Sequence, residues 1–76
     1  MVKDFEDIKT KINNEYSLLF KLYNATYKVS FVENVYYIEQ IGINSKKMYN
    51  TLEHLFNDYY LYGDNLLTLI NKIIVL

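Results

Sequence analysis

Residues 16–41 sort their side chains by parity, and that pattern constrains the fold more than any other in the chain. If Glu33-Asn34 is a two-residue turn, Val32 faces Val35, Phe31 faces Tyr36, Val29 faces Ile38 and Lys28 faces Glu39. If Asn24-Ala25 is a second turn, Leu22 faces Tyr27, Phe20 faces Val29 and Leu18 faces Phe31. Successive side chains point to opposite faces of a strand. One face then collects Leu18, Phe20, Leu22, Tyr27, Val29, Phe31, Tyr36 and Ile38, all apolar or aromatic. The other collects Ser17, Lys21, Lys28, Ser30, Tyr37 and Glu39, with Leu19 and Tyr23 as exceptions. A slip of one residue would exchange the two sets. The pattern predicts a three-stranded antiparallel meander, with Lys28 between a repulsive Lys21 and an attractive Glu39.

The flanking segments read as helices. Phe5, Ile8 and Ile12 follow Asp4 at helical spacing, and Asp7 forms a weak capping pair with Asp4. This predicts a short helix over about residues 4–13, stopped by Asn13-Asn14. After Gly42, Ser45 is a good N-cap for the stripe Met48, Leu52, Leu55, Phe56 and Tyr59. Gly63 can end that helix, and Asp64 can cap a last one through Leu66, Leu67, Ile70, Ile73 and Ile74. The expected fold is therefore α+β: a short N-terminal helix, the meander, and two C-terminal helices packed on the sheet. The alternative runs one long helix from residue 4 to 23, on Phe5, Ile8, Ile12, Tyr16, Leu19 and Tyr23, then one β-hairpin and two helices.

The chain's 76 residues suit one domain, 1–76, and a domain of this size buries only ~60% of its unfolded-chain surface. Cys is absent, so no disulfide staples it, and a reducing, cytoplasmic setting is expected. The acidic start Asp4-Phe5-Glu6-Asp7 behind Met1-Val2-Lys3 lacks the apolar run of a signal peptide. The apolar C-terminal stretch is interrupted by Asn71 and Lys72 and is too short to span a bilayer. Charge is spread evenly: five Lys and five acids in residues 1–38, three Lys and four acids in residues 39–76. No basic block tracks a phosphate backbone.

Motifs for chemistry are missing. His54 stands alone, without the nucleophile or second ligand that catalysis or a metal needs, and an i,i+4 pair with Asp58 is its plainer role. Gly42 and Gly63 are isolated turn residues and cannot build a phosphate loop. The expectation is a non-enzyme with no cofactor and no metal.

Aromatic rings remain as the distinctive feature: nine Tyr and four Phe, with no Trp. Tyr brings large contact area at low entropic cost and dominates binding surfaces. The run Asp58-Tyr59-Tyr60-Leu61-Tyr62-Gly63-Asp64 is the best local candidate for a contact site, since its three Tyr cannot all face the core. Its plainer reading packs Tyr59 and Leu61 inward and leaves Tyr60 and Tyr62 over the junction between helices. The outward sheet face, with Lys21, Tyr23, Lys28 and Tyr37, is a second candidate, and its outer strands (17–23 and 35–41) offer edges for a partner strand. The segment Leu66–Leu76 is a third, either core or a homodimer interface.

In size, composition and absence of a chemical motif the chain resembles the small accessory proteins of phages and mobile elements in AT-rich bacteria. The resemblance implies a module that binds and modulates a host or rival protein, with Tyr37, Tyr59, Tyr60 and Tyr62 as partner-binding anchors. A nucleic-acid-binding regulator using Lys21, Lys28, Lys46 and Lys47 is the alternative, and an enzyme ranks last.

Overall fold

Asp4 opens the first element by accepting the Asp7 amide at 2.9 Å, an N-cap of the expected kind. The resulting helix α1 spans Phe5–Glu15 and buries Ile8 and Ile12. It runs past Asn13-Asn14 and stops where Tyr16 turns left-handed (φ 63°) and its amide donates to the Ile12 carbonyl. The computed structural model describes residues 4–76, so Met1–Lys3 of the expected non-signal N-terminus lie outside the described residues. The fold is α+β, with α1 and a second helix on one face of a five-stranded antiparallel sheet.

Strands β1 (Ser17–Leu22), β2 (Ala25–Val32) and β3 (Val35–Gln40) form the expected meander. Val32 faces Val35 and Phe31 faces Tyr36 around Glu33-Asn34, whose φ values of 52° and 66° are those of a type I′ hairpin. The first turn differs from expectation. It is Tyr23-Asn24, not Asn24-Ala25, so Leu22 faces Ala25, Phe20 faces Tyr27 and Leu18 faces Val29. The register moves by two residues, and a shift of two leaves every side chain on its own face. Lys28 consequently faces Leu19 and Glu39, and the expected clash with Lys21 does not form.

The two C-terminal helices are corrected. Lys47–Tyr49 is strand β4, pairing with the outer side of β3. Ser45 caps no helix; its hydroxyl accepts the Gln40 amide at 3.3 Å. Helix α2 is only Leu52–Asp58, capped by the Thr51 hydroxyl on the His54 amide. Asp64 starts no helix either: Tyr60–Leu61 (β5) and Asp64–Asn65 (β6) form a small hairpin. A 3-10 turn at Ile70–Lys72 then leads into strand β7, Ile74–Val75, beside β1. The sheet order is β4-β3-β2-β1-β7, so both edges expected to be open, residues 17–23 and 35–41, are covered in part, at Phe20–Lys21 and Tyr36–Ile38. The long first helix of the alternative is absent, because residues 17–22 are strand.

The core lies between the helices and one face of the sheet. Ile8, Ile12, Leu52, Leu55 and Phe56 pack against Leu18, Phe20, Leu22, Tyr27, Val29 and Ile38. Leu66, Leu69 and Ile73 complete it, although Met48 and Ile74 of the expected helical stripes are exposed. Two of the buried tyrosine hydroxyls find side-chain partners: Tyr36 donates to Asn13 and Tyr49 to Asp58, as suits a ring with a polar tip. The opposite face of the sheet carries no helix.

Candidate functional site

The residues after α2 hold the main candidate. Tyr59 ends the helix, Tyr60 begins β5, and Tyr62-Gly63 is the turn to β6, with φ values of 56° and 86°. Gly accepts this left-handed backbone freely, whereas a residue with a Cβ is strained there by roughly 1–2 kcal/mol. Tyr23, in the β1–β2 turn, adopts φ 55° as well. The two strained rings meet edge to face, with centroids 4.9 Å apart. Such a pair returns about 0.5–1.5 kcal/mol, less than two left-handed Cβ residues cost together. The fold therefore gains little by placing tyrosine, not glycine or asparagine, at both turns.

Exposure divides the expected anchors. Tyr60 is 61% exposed and Tyr62 67%, and Tyr23, edge-on to Tyr62, is 47% exposed. Tyr59 is 8% exposed, its ring edge-on to Tyr27, and burial pushes its phenol above the ordinary value. It offers a partner almost no area. Tyr37 stands apart. It pairs with Ser30, five residues along β2 from the turn, which is ~16 Å at strand rise. There it is half-buried on the uncovered sheet face, with the Lys46 ammonium 5.6 Å from its ring centroid. The exposed rings here are thus the Tyr23–Tyr62 pair and Tyr60, two residues before Tyr62 in the chain. The sequence placed Tyr23 on the sheet face; its partnership with Tyr62 depends on a chain crossing that no local pattern encodes.

The uncovered sheet face is the second surface. Leu19, Lys21, Lys28, Glu39, Tyr37 and Met48 share it by strand register. Ile74 faces Lys21 and so joins it, and the Leu76 amide donates to the Leu19 carbonyl. Lys47 does not: its ammonium lies 5.9 Å from the buried Tyr59 ring. Leu66–Leu76, expected as a helical interface, is divided. Leu66, Leu69 and Ile73 are core, while Leu67, Ile74 and Leu76 are exposed.

Elsewhere the chemistry is sparse. His54 packs edge-on against Tyr49 at 5.1 Å, and Asp58, its expected partner, instead accepts the Tyr49 hydroxyl at 3.0 Å. Burial and then that hydrogen bond push the Tyr49 phenol up to about 12. Lys9 and Glu53 bridge α1 and α2 at 2.7 Å, each favouring the other's charged form. They border an open groove of about 270 Å³ that also contains Phe31, Tyr36, Asn34 and Asn50. Ligand sites ordinarily enclose roughly 300–1,000 Å³, so this groove is small as well as open. Among the described residues no three His, Cys, Asp or Glu are placed to share a metal ion, and no helix is long and apolar enough to cross a membrane.

No family model matches the chain, and neither a curated protein nor a solved structure matches it.

Proposed function

We propose that this chain is a small non-catalytic protein-interaction module, an inhibitor or modulator of another protein, of the accessory type found in phages and mobile elements. Tyr60, Tyr62 and Tyr23 are its anchors. The observation that carries the reading is the exposed Tyr23–Tyr62 pair on two left-handed turns, with exposed Tyr60 two residues before Tyr62. Exposed rings held rigid by neighbouring backbone lose little entropy when a partner covers them.

The test is affinity capture from nuclease-treated bacterial lysate, comparing the wild type with the Tyr60→Ala/Tyr62→Ala double variant. The wild type is expected to retain one protein in stoichiometric amount. The variant is expected to lose it by about tenfold or more, as for hot-spot truncation worth over 1.4 kcal/mol, at an unchanged melting temperature. Equal capture by both would remove Tyr60 and Tyr62 from the site. No captured protein at all would end the reading.

A nucleic-acid-binding regulator is the second reading. It draws support from Lys21, Lys28 and Lys46 standing on the same sheet face as Tyr37. Its mark would be oligonucleotide binding that falls steeply with salt.

A further inference from the structure

The uncovered sheet face differs in charge from the rest of the molecule. Lys21, Lys28 and Lys46 stand on it against the single carboxylate of Glu39, a net charge of +2. The whole chain carries −1, so everything else sums to −3. Beside these ammonium groups lies an aliphatic strip. Leu19 (44% exposed), Ile74 (57%) and Leu76 (63%) meet across β1 and β7. Across the five strands the face is ~19 Å wide at the ordinary strand spacing. The two edges are also unlike. β4 follows Lys46 and begins with Lys47, the kind of charge that blocks edge pairing, whereas β7 carries none.

We infer that this face docks an acidic, aliphatic segment of a partner protein, laid over Leu19, Ile74 and Leu76 with its carboxylates on Lys21, Lys28 and Lys46. Charge decides among the occupants. A second copy would bring +2 against +2, with Lys28 on the central strand of each face, and like charges brought together at an interface are penalised. Nucleic acid would need rings for bases to stack on, but the strip is aliphatic and Tyr37 is half-buried under Lys46. An anionic bilayer calls for clusters of about four to eight basic residues, and the face has three. The inference rests on the protein-interaction reading and assigns it a second surface, with the chemistry of what that surface takes.

The test maps amide chemical shifts of the full chain against four probes: an alternating Glu-Leu octapeptide, an alternating Lys-Leu octapeptide, oligothymidine and phosphatidylserine vesicles. The Glu-Leu peptide is expected to move the amides of Leu19, Lys21, Lys28 and Ile74 and to leave those of α1 and α2 in place. Its affinity should fall about tenfold or more in the Lys21→Glu/Lys46→Glu variant. Lys21 faces Thr26 and Ile74, not a carboxylate, and a melting curve checks that the variant folds. Lys21→Gln/Lys46→Gln should show an intermediate loss. No shifts, equal shifts with the Lys-Leu peptide, or shifts confined to the helical face would overturn the inference. Oligothymidine or vesicles moving these amides in place of the acidic peptide would overturn it in favour of nucleic acid or membrane. Failure here leaves the lysate experiment untouched, because that experiment reads Tyr60 and Tyr62.

Discussion

At the scale of single residues, tyrosine fills two physically different roles. Tyr27, Tyr36, Tyr49 and Tyr59 are buried, while Tyr16, Tyr23, Tyr60 and Tyr62 are exposed. Burial pushes the phenols of Tyr27, Tyr49 and Tyr59 above their ordinary values, Tyr49 to about 12. A raised folded value adds stability that is complete below the unfolded value, near 10. It is lost as pH climbs from there through the folded one. Stability to urea should therefore hold through pH 9 and decline between pH 10 and 12. Tyr49→Phe should flatten that decline, measured as the urea midpoint against pH. The β2–β3 turn gives a second expectation. Glu33 and Asn34 occupy type I′ positions, for which Asn-Gly is the preferred pair. Glu33→Asn/Asn34→Gly should stabilise by about 0.5–1 kcal/mol and raise the melting temperature by several degrees.

Strands β1–β3 were legible in the sequence, as was the Leu52, Leu55 and Phe56 stripe of helix α2, whereas β4 and the elements after residue 58 were not. The meander is held by alternation over more than twenty residues, and a two-residue error at the Tyr23-Asn24 turn preserved every face. β4 and β7 are two or three residues long, too short for a period to declare itself. Leu66, Leu69 and Ile73 are buried at spacings a helix would also use, yet Ile73-Ile74-Val75 is a β-branched run that favours extended backbone. What decides between them is the open edge of β1, a feature 50 residues away in the sequence. The two states predict different costs at neighbouring positions. Ile73, just before the strand, is 1% exposed and Ile74, its first residue, 57%. Ile73→Ala should therefore destabilise by roughly 2–5 kcal/mol and Ile74→Ala by under about 0.5 kcal/mol, both read from urea unfolding.

For the molecule as a whole, the candidate site was half legible. The Tyr60 and Tyr62 positions followed from a local count of rings, since three tyrosines beside Gly63 could not all turn inward. The plainer reading of that run already turned Tyr59 inward, where it lies; that Tyr23 would meet Tyr62 depends on how two hairpin turns meet. The charge contrast between the sheet face and the helical layer was hidden for the same reason: along the chain the charges are spread evenly, and only folding separates them.

The order of the sheet also decides when the fold can be finished. β1, β2 and β3 are joined by two-residue turns and can pair within microseconds. β7 must come back to β1 from 53 positions along the chain, Lys21 to Ile74. Closing so long a loop costs about 2 kcal/mol more entropy than closing a hairpin. Its contacts should thus be made after the rate-limiting step. Ile73→Ala is expected to speed unfolding and leave the folding limb of the chevron nearly unchanged, a φ-value close to zero. On the ribosome the same geometry leaves β1 with a bare backbone edge from the time the meander forms until residues 74–76 emerge. The nascent chain therefore depends on its last strand to become safe from pairing with its neighbours.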